Sequence, residues 1–333
     1  MQLKRAEEIV SRFGRQNILV AGDVMLDEFV WGEVSRISPE APVPVVEVTG
    51  ESFFAGGAAN VARNLREMGA RAGMAGVRGS DAAGGKLAAL LRESGIDDSA
   101  VVVSGDAPTT VKTRVIARHQ QVVRIDREQR RRPAEAFERE VIDRLAAQRD
   151  GWSAVIFSDY AKGFLTPTIA EGICGLARGR IVTVDPSPHN PIPWRGVTAV
   201  KPNLREARAA AGAAPDAPPE ETAARLLERW DTQMVLITMG DRGMLLVERG
   251  GRRYHTPTRA REVFDVSGAG DTAIAVFTLA LAAGAAPREA AELANHASGV
   301  AVGKLGTATV SPEELLESVA RMSGTRARRL TTR

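Results

Sequence analysis

Short apolar runs alternate with amphipathic stretches over most of the chain. Apolar runs bounded by polar residues predict buried parallel strands at 17–22, 154–158, 181–184, 197–200 and 234–237. Apolar residues spaced three and four apart predict helices at 133–148, 166–177, 220–230 and 272–283. Strands that alternate with helices form βαβ units, so we expect an α/β fold with a doubly wound, mostly parallel sheet.

Two segments, 28–49 and 100–126, break this pattern because polar residues alternate with β-branched and aromatic ones. Three prolines in the first segment exclude a helix there. We expect the two segments to pair into a small β-sheet lid over the mouth of a larger domain. The predicted catalytic domain then comprises 1–27, 50–99 and 127–325, and residues 326–333 form a flexible tail.

The stretch 264–271, Phe-Asp-Val-Ser-Gly-Ala-Gly-Asp, precedes the longest apolar helical run. Gly268 and Gly270 let the backbone turn sharply, and a helix that begins here leaves its first N–H groups unpaired. Gly268, Ala269 and Gly270 therefore predict an anion site. Asp271 beside a bound phosphate is suited to accept a proton, so the stretch predicts phosphorylation of a hydroxyl. The alternative is an ordinary glycine turn with an acid in the first helical turn.

A second glycine pair, Gly56 and Gly57, also precedes a predicted helix, whose first turn contains Asn60. The glycines allow a ligand to approach the backbone closely, and Asn60 can both donate to and accept from a polyol hydroxyl. This pattern predicts a sugar site. A glycine-rich turn with an asparagine at the helix start is the alternative.

Polar residues follow the predicted strands at their carboxyl ends. They are Asp23, Asp27, Asp159, Asp185, Lys201, Asn203, Glu206 and Thr238. In open α/β sheets, ligands bind at this edge. Turns also favour Asp and Asn, so Asp23 is equally well explained as a turn residue.

Composition and charge narrow the functional classes. The chain is 44% hydrophobic and 26% charged, with a formal charge of +3. This small basic excess does not indicate a nucleic-acid partner and suits a phosphorylated small substrate. The single cysteine, Cys174, cannot form an internal disulfide, which fits a reducing compartment. Residues 1–13 lack an apolar signal core, and no apolar run reaches the roughly 20 residues that span a bilayer, so we expect a soluble cytoplasmic protein with no membrane partner.

These motifs together resemble the ribokinase-like (PfkB) sugar kinases over nearly the whole chain. The stretch 56–60 resembles the family's amino-terminal sugar-binding motif, and 265–271 resembles its carboxy-terminal catalytic motif, with Val266 in place of the usual threonine. Asn-Leu-Arg-Glu at 203–206 resembles the family's Asn-x-x-Glu motif, and 238–243 resembles its nucleotide-contacting turn. The resemblance implies a three-layer ribokinase-like fold and an ATP-dependent kinase that uses Mg²⁺.

A closer resemblance is to the bacterial D-glycero-β-D-manno-heptose 7-phosphate kinases. It rests on the segments 22–27, 36–45, 112–114, 120–126 and 158–163. The resemblance implies phosphorylation of the anomeric C1 hydroxyl to give the 1,7-bisphosphate, on the route to the ADP-heptose of lipopolysaccharide. Some relatives carry a fused nucleotidyltransferase domain. Because this sequence ends at residue 333, we expect the kinase alone.

The resemblance also implies a role for each site residue. Asp271 is the expected base, with Gly268, Ala269 and Gly270 around the transferred phosphoryl group. The expected sugar and sugar-phosphate contacts are Asp27, Gly56, Gly57, Asn60, Asp159, Arg36, Lys112, Arg114 and Lys162, with Arg118 and Arg124 as further cations. The expected ATP contacts are Lys201, Asn203, Glu206, Thr238, Gly240, Gly243 and Asn295. Asn203 and Glu206 would orient Mg²⁺ through water, and Asp265 and Ser267 would lie near a monovalent cation such as K⁺. His296 is expected to be a packed side chain.

Alternatives remain open at this point. Another PfkB-type sugar or nucleoside kinase would share most of these motifs, because few contacts set specificity. A non-catalytic module that senses nucleotides or sugar phosphates is an alternative of another class. A dinucleotide-binding dehydrogenase is disfavoured because the first strand does not lead into a Gly-x-Gly-x-x-Gly turn. Exposed apolar strands in the lid predict a homodimer formed through it.

Overall fold

The computed structural model describes residues 1–118, 120–129, 135–260, 263–304 and 306–323. The predicted tail, 326–333, and the predicted start of a helix at 133 lie outside the described residues. The described strands are β1 Asn17–Gly22, β2 Val24–Ile37, β3 Pro44–Gly57, β4 Arg71–Gly79, β5 Asp97–Ser104, β6 Val111–Ala117, β7 Gln120–Arg127, β8 Ala154–Ser158, β9 Ile181–Asp185, β10 Ala199–Val200, β11 Met234–Thr238, β12 Met244–Glu248 and β13 Arg253–Thr256. The described α-helices are α1 Leu3–Val10, α2 Ala58–Glu67, α3 Ala82–Glu93, α4 Glu135–Ala146, α5 Pro167–Leu176, α6 Leu204–Ala211, α7 Pro219–Arg229, α8 Ala269–Ala282, α9 Pro287–Ala301 and α10 Pro312–Ser323.

The large sheet has the strand order β13-β12-β11-β10-β9-β8-β1-β4-β5. Its pairings are parallel from β5 through β11, whereas β12 pairs antiparallel with β11 and β13 with β12. The order changes direction at β1, since the chain builds β4 and β5 on one side and β8 to β13 on the other. This arrangement confirms the predicted doubly wound α/β fold.

Both faces of the large sheet are covered by helices. Ile18 and Val20 of β1 belong to the apolar cluster formed with α1, α2, α8, α9 and α10. Leu19 and Ala21 belong to the cluster on the opposite face, formed with α4, α5 and α7. Because successive side chains of a strand point to opposite faces, a strand covered on both sides needs an unbroken apolar run. This explains the three-layer architecture and the sequence of β1.

The small sheet, which consists of β2, β3, β6 and β7, has the order β3-β2-β6-β7. β2 and β3 form a long antiparallel hairpin, and β6 pairs parallel with β2. The two predicted lid segments therefore do pair with each other. Whether the small sheet moves as a lid stays a prediction.

The predicted boundaries of the lid were wrong at two points. β5 pairs parallel with β4, so residues 100–104 belong to the edge of the large sheet rather than to the lid. An edge strand has one exposed face, so it shows the same alternation as a strand of a small sheet. The hairpin of β2 and β3 also reaches further, from Val24 to Gly57, so the small sheet includes residues assigned to the catalytic domain.

Helix α8 lies in the middle of the apolar cluster, and every residue from Asp271 to Leu281 is buried. It packs against α2 and α9 and against the sheet at β8 and β9. The core therefore fixes the position of its first turn, which carries Asp271. Within the described ranges, no helix combines the length and apolar character that crossing a membrane requires.

Candidate active site

Helix α8 begins at a glycine in the left-handed region. Gly268 has φ of +79° at the N-cap, and a Cβ built on it would lie 2.9 Å from Asn60 Nδ2. A Cβ on Gly270 would lie 3.5 Å from Lys201 Nζ. The start of this helix opens onto a cleft of about 510 Å³, whose lining includes Lys201, Asn203 and Thr238. The geometry fits the predicted anion site, with a lysine beside it.

The carboxylate of Asp271 is buried and is held from two directions. Asn60 Nδ2 donates to Asp271 Oδ2 at 2.9 Å, and Tyr160 Oη donates to Oδ1 at 2.5 Å. Burial raises the pKa of Asp271, and the hydrogen bonds from Asn60 and Tyr160 oppose that rise. The fold thus joins the two glycine motifs that the sequence singled out, because Asn60 and Asp271 are 211 positions apart.

Asp27 occupies the predicted sugar side of the site. It is 3% exposed and accepts a hydrogen bond from Arg114 Nη1 at 2.5 Å. A Cβ on Gly56 would overlap Asp27 Oδ2, so only glycine lets β3 pass this carboxylate. Asp27 also pairs with Lys112 in the register of β2 and β6. These contacts bring Asp27, Gly56, Lys112 and Arg114 together as predicted.

Two of the predicted phosphate-binding cations converge on one acid. Lys162 Nζ lies 2.5 Å from Glu128 Oε2, and Lys112 Nζ lies 3.7 Å from the same oxygen. Lys112 also contacts Asp126 at 3.1 Å, and Arg124 pairs with Asp126 at 2.9 Å. Lys112 and Lys162 each have about one seventh of the side chain exposed. They form a compact positive pair at the junction of the two sheets.

The structure does not bring Arg36 to the site. It is exposed near the far end of β2, paired with Val45. Nine residues of extended strand separate it from Asp27, which is about 30 Å. The length of β2 therefore separates Arg36 from Asp27 within one chain, and a contact of Arg36 with the substrate stays a prediction. Arg118 lies exposed in the turn after β6, at φ of +49°.

The nucleotide side of the cleft is built around the start of α6. Asn203 Oδ1 accepts the amide of Glu206, and Glu206 Oε2 accepts the amide of Asn203, each at 2.9 Å. This capping box fixes both side chains at the helix start. Thr238, at the end of β11, forms an isolated parallel β-bridge with Asn203.

Lys201 is 4% exposed, and its Nζ lies 3.0 Å from Asp185 Oδ2. Burial raises the pKa of Asp185 to about 7, although the Lys201 ammonium opposes the rise. The turn that follows β11 has positive φ at Gly240 and Gly243, and a Cβ on Gly243 would overlap the Thr256 carbonyl. The positive φ angles of Gly240 and Gly243 therefore explain why the nucleotide-contacting motif has glycine at these two positions.

Two predicted contact residues make structural hydrogen bonds instead. Asp159 accepts the amide of Ala161 at 2.8 Å and the side chain of Asn190 at 3.0 Å, so both of its oxygens shape loops. Asn295 donates to the Pro257 carbonyl at 2.6 Å. Direct contacts of these two residues with substrate or ATP stay predictions. His296 is buried against Ser318, which confirms it as a packed side chain.

The oxygen donors around the cleft fit hydrated or loop-bound cations rather than a metal held by side chains alone. Among the described residues, no three His, Cys, Asp or Glu side chains come together as a metal cage. The capping box uses Glu206 Oε2 and leaves Oε1 for a magnesium-bound water, which fits an ion that keeps several waters. Asp265 accepts the amides of Ser267 and Gly306, so its carboxylate ties two loops together beside the anion site. A monovalent cation there would depend on backbone carbonyls.

Sequence reasoning missed Tyr160 and Arg63. Tyr160 directly follows the predicted strand end at Asp159, and that position was the available signal. Arg63 lies one helical turn after Asn60 and donates to Asn60 Oδ1 at 3.3 Å and to the Thr307 carbonyl at 3.2 Å. Both residues act on the side chains that the motifs did identify.

Comparisons with known proteins agree with this geometry. A sequence profile described as pfkB family carbohydrate kinase matches residues 15–314. Two curated relatives, each named bifunctional protein HldE, come from Geobacter sulfurreducens and Geobacter metallireducens and are 46% and 44% identical over 323 residues. Each alignment covers 96% of this chain and 66% of the relative, so the chain spans just under two thirds of those proteins.

Solved structures show the same fold. The chain is similar to phosphofructokinase-2 from Escherichia coli in complex with potassium, with a TM-score of 0.77 at 20% identity. It is also similar to ribokinase from Thermotoga maritima, with a TM-score of 0.72 at 21% identity. Each match covers 92% of this chain and 99% of the other. These similarities confirm the predicted ribokinase-like fold.

The geometry of α8 predicts different effects for glycines at its two ends. Gly268 and Gly284 have φ of +79° and +85°, so alanine at either position should lower the free energy of unfolding by about 1–2 kcal/mol. Gly268→Ala should also displace Asn60 and lower kcat by on the order of 10²-fold, because a small misplacement at a reacting centre is that costly. Gly284→Ala, at the far end of the helix, is the matched control. Steady-state kinetics and denaturant unfolding measure both effects; equal kcat losses in the two variants would contradict the assignment.

Proposed function

The chain belongs to the pfkB family of carbohydrate kinases, and we propose that it transfers the γ-phosphoryl group of ATP to the anomeric C1 hydroxyl of D-glycero-β-D-manno-heptose 7-phosphate. Membership makes it an ATP-dependent sugar kinase, which contradicts the dehydrogenase alternative. One observation carries the proposed chemistry: the buried Asp271 carboxylate lies one residue from the glycines that form the anion site, and Asn60 of the sugar motif donates to it.

In the proposed reaction, Asp271 accepts the proton of the C1 hydroxyl as its oxygen attacks the γ-phosphorus in line. A new C1–O–P bond forms, the bond from the γ-phosphorus to the bridging oxygen breaks, and ADP leaves with that oxygen. The N–H groups of Gly268, Ala269 and Gly270 donate to the equatorial phosphoryl oxygens, where charge is spread in the transition state. Lys201, buried beside Gly270, adds a positive charge at the same place.

Asn203 and Glu206 are the residues that would hold Mg²⁺, through water. Magnesium supplies charge neutralisation between the phosphates of ATP. The loop tied by Asp265, with Ser267, is the proposed place for a monovalent cation such as K⁺, the ion in the potassium complex of phosphofructokinase-2 from Escherichia coli. On the sugar side, Asp27 and Asn60 would accept from and donate to hydroxyls, and Gly56 and Gly57 would let the ring approach.

Two features support a heptose 7-phosphate over an unphosphorylated sugar. Three of the segments that resemble heptose 7-phosphate kinases contribute to the site: 22–27 carries Asp27, 112–114 carries Lys112 and Arg114, and 158–163 carries Lys162, whereas 36–45 lies at the far end of the small sheet. Lys112 pairs with Asp27 in register, and Lys162 lies two residues from Tyr160, so the positive pair flanks the proposed sugar position. A phosphate monoester would replace Glu128 between these two lysines.

Location and assembly are also proposals. Because ATP and sugar phosphates are cytoplasmic metabolites, we place the kinase in the cytoplasm. A homodimer through the small sheet is supported by its exposed apolar side chains, among them Ile37 at 62% and Val48 at 58% exposure. The predicted route to ADP-heptose follows from the product, a heptose 1,7-bisphosphate.

The role of Asp271 predicts a selective loss of turnover in Asp271→Asn. The amide keeps the shape but replaces one acceptor oxygen with a donor and cannot take a proton, so kcat should fall by at least ~10² with unchanged ATP binding. ATP binding is measured calorimetrically and kcat by ADP release. Asp150→Asn, which changes a carboxylate that is 93% exposed, is the control. Turnover of Asp271→Asn close to that of the unmodified protein would rule out Asp271 as the base.

The positive pair predicts a substrate preference. ADP release is measured with D-glycero-D-manno-heptose 7-phosphate, sedoheptulose 7-phosphate, fructose 6-phosphate, ribose and adenosine, and we expect turnover with the heptose phosphate. In the double variant Lys112→Met/Lys162→Met, KM for that substrate should rise at least about tenfold, because charge-assisted contacts to the phosphate are lost. Lys4→Met, at an exposed lysine on α1, is the matched control.

Different outcomes of this panel separate the alternatives. Turnover with another sugar would keep the kinase chemistry and reject the heptose substrate. ATP binding without turnover on any substrate would favour the sensing module. An unchanged KM in the double variant would reject the positive pair as the phosphate site.

A further inference from the structure

The side chain that touches the proposed base most closely is Tyr160, which belongs to the segment 158–163 but received no role from the resemblance. Tyr160 lies in the loop between β8 and α5, and its hydroxyl donates to Asp271 Oδ1 at 2.5 Å. Hydrogen bonds from a hydroxyl to a carboxylate are short and about twice as strong as neutral ones. Tyr160 is thus one of two side chains that fix the orientation of the Asp271 carboxylate, the other being Asn60.

The loop that carries Tyr160 is built around a second buried carboxylate. Asp23, 2% exposed, accepts three backbone amides: Tyr160 at 2.9 Å, Lys162 at 3.1 Å and Phe164 at 3.0 Å. The sequence left Asp23 open between a site residue and a turn residue. The structure shows that Asp23 organises this loop, and through it the position of the Tyr160 ring.

The loop backbone is held in an uncommon conformation. Ala161 has φ of +54°, where a residue with a Cβ is disfavoured, and its amide is bonded to Asp159. A residue keeps such a backbone conformation only where the surrounding structure holds it there. Residues of this kind cluster at functional sites. The hydrogen bonds to Asp23 and Asp159 hold the loop in this conformation. Tyr160 is therefore placed against Asp271 before any substrate binds.

We propose that Tyr160 is a positioning residue for phosphoryl transfer, which keeps Asp271 ionised and aims it at the sugar hydroxyl. The proposal rests on the proposed role of Asp271 as the base. An ionised carboxylate has about four acceptor sites. Tyr160 takes one acceptor site on Oδ1, and Asn60 takes one on Oδ2. The other acceptor sites of the carboxylate are left for the substrate hydroxyl. The substrate therefore does not have to displace Tyr160 to donate its proton.

The groups around Asp271 act in opposite directions on its pKa. Burial raises the pKa, and the negative charge of Asp27 adds to the rise. The hydrogen bonds from Asn60 and Tyr160 and the positive charge of Lys201 lower it. Asp185 pairs with Lys201, and Arg114 pairs with Asp27. Arg63, which donates to Asn60, is a further charged group beside the carboxylate. The other titratable residues that line the same cleft are Asp159, His189, Arg205 and Glu206.

Tyr160 itself stays protonated. Burial raises the pKa of its phenol well above the ordinary value, and the nearby negative charge of Asp271 adds to the rise. It is therefore a donor over the whole range in which a kinase is assayed. The hydrogen bond from the Tyr160 hydroxyl favours the ionised form of Asp271. Because Tyr160→Phe removes this hydrogen bond, the pKa of Asp271 should rise in that variant.

The test is the pH dependence of kcat/KM for Tyr160→Phe and for the unmodified protein, from about pH 5 to about pH 9. Phenylalanine keeps the ring and its packing, so the variant should fold, which thermal unfolding verifies. We expect the acid limb to move to higher pH by about one unit. The ratio of the two kcat/KM values should then fall by about tenfold below both pKa values and level off at high pH. Taking this ratio cancels the titration of ATP and of the sugar phosphate.

The chain offers a matched control, because its other tyrosine lies outside the cleft. Tyr254 is on β13, with its ring against Arg288. Tyr254→Phe makes the same chemical change and should give a flat ratio near one. A ratio for Tyr160→Phe that is independent of pH, whether near one or uniformly reduced, would overturn the proposal, because loss of a merely structural contact does not shift the acid limb.

The variant Asp271→Asn distinguishes the proposed role of Tyr160 from the proposed role of Asp271 as the base. If that variant loses turnover while Tyr160→Phe gives a flat ratio, the base is retained and the positioning role is rejected. If Asp271→Asn turns over normally, the proposed base fails, and the role of Tyr160 fails with it.

Discussion

The site depends on a carboxylate buried at the positive end of a helix. Asp271 lies in the first turn of α8, which the apolar core surrounds on every side from Asp271 to Leu281. Burial destabilises the charge, whereas the helix dipole, Asn60 and Tyr160 stabilise it. A carboxylate whose pKa is raised by its surroundings and that still has ordered donors is suited to take a proton. In the proposed reaction, the anion site one residue earlier would hold the phosphoryl group beside the hydroxyl that loses its proton.

The topology of the large sheet brings the other site residues close to the first turn of α8. Parallel strands bring Asp23, Asp185, Lys201 and Thr238 to one edge of the large sheet, and the change of strand order at β1 opens the cleft there. The hairpin of the small sheet begins at that edge, so its first residues carry Asp27 into the site. The same strands then run away from it, which is why their far ends hold no part of the site.

Local chemistry was predictable from the sequence, and long-range pairing was not. The glycine turns at 56–57 and 268–270 were predictable because the backbone at Gly56, Gly57 and Gly268 requires glycine. By contrast, no periodicity reveals that Tyr160 meets Asp271 or that Lys112 and Lys162 share Glu128, because these contacts join separate elements. Residues 100–104 of β5 were assigned to the wrong sheet because an edge strand and a lid strand have the same alternation. The family resemblance supplied the residue roles that physical patterns alone left open.

The central claim is that this chain places a phosphoryl group on the anomeric oxygen of a sugar phosphate. The most direct measurement is ³¹P and ¹H NMR of the product formed from ATP, Mg²⁺ and D-glycero-D-manno-heptose 7-phosphate. The account predicts a second phosphorus signal coupled to the anomeric proton, appearing together with ADP. A new phosphate on another carbon, or ADP formed only with inorganic phosphate, would contradict it.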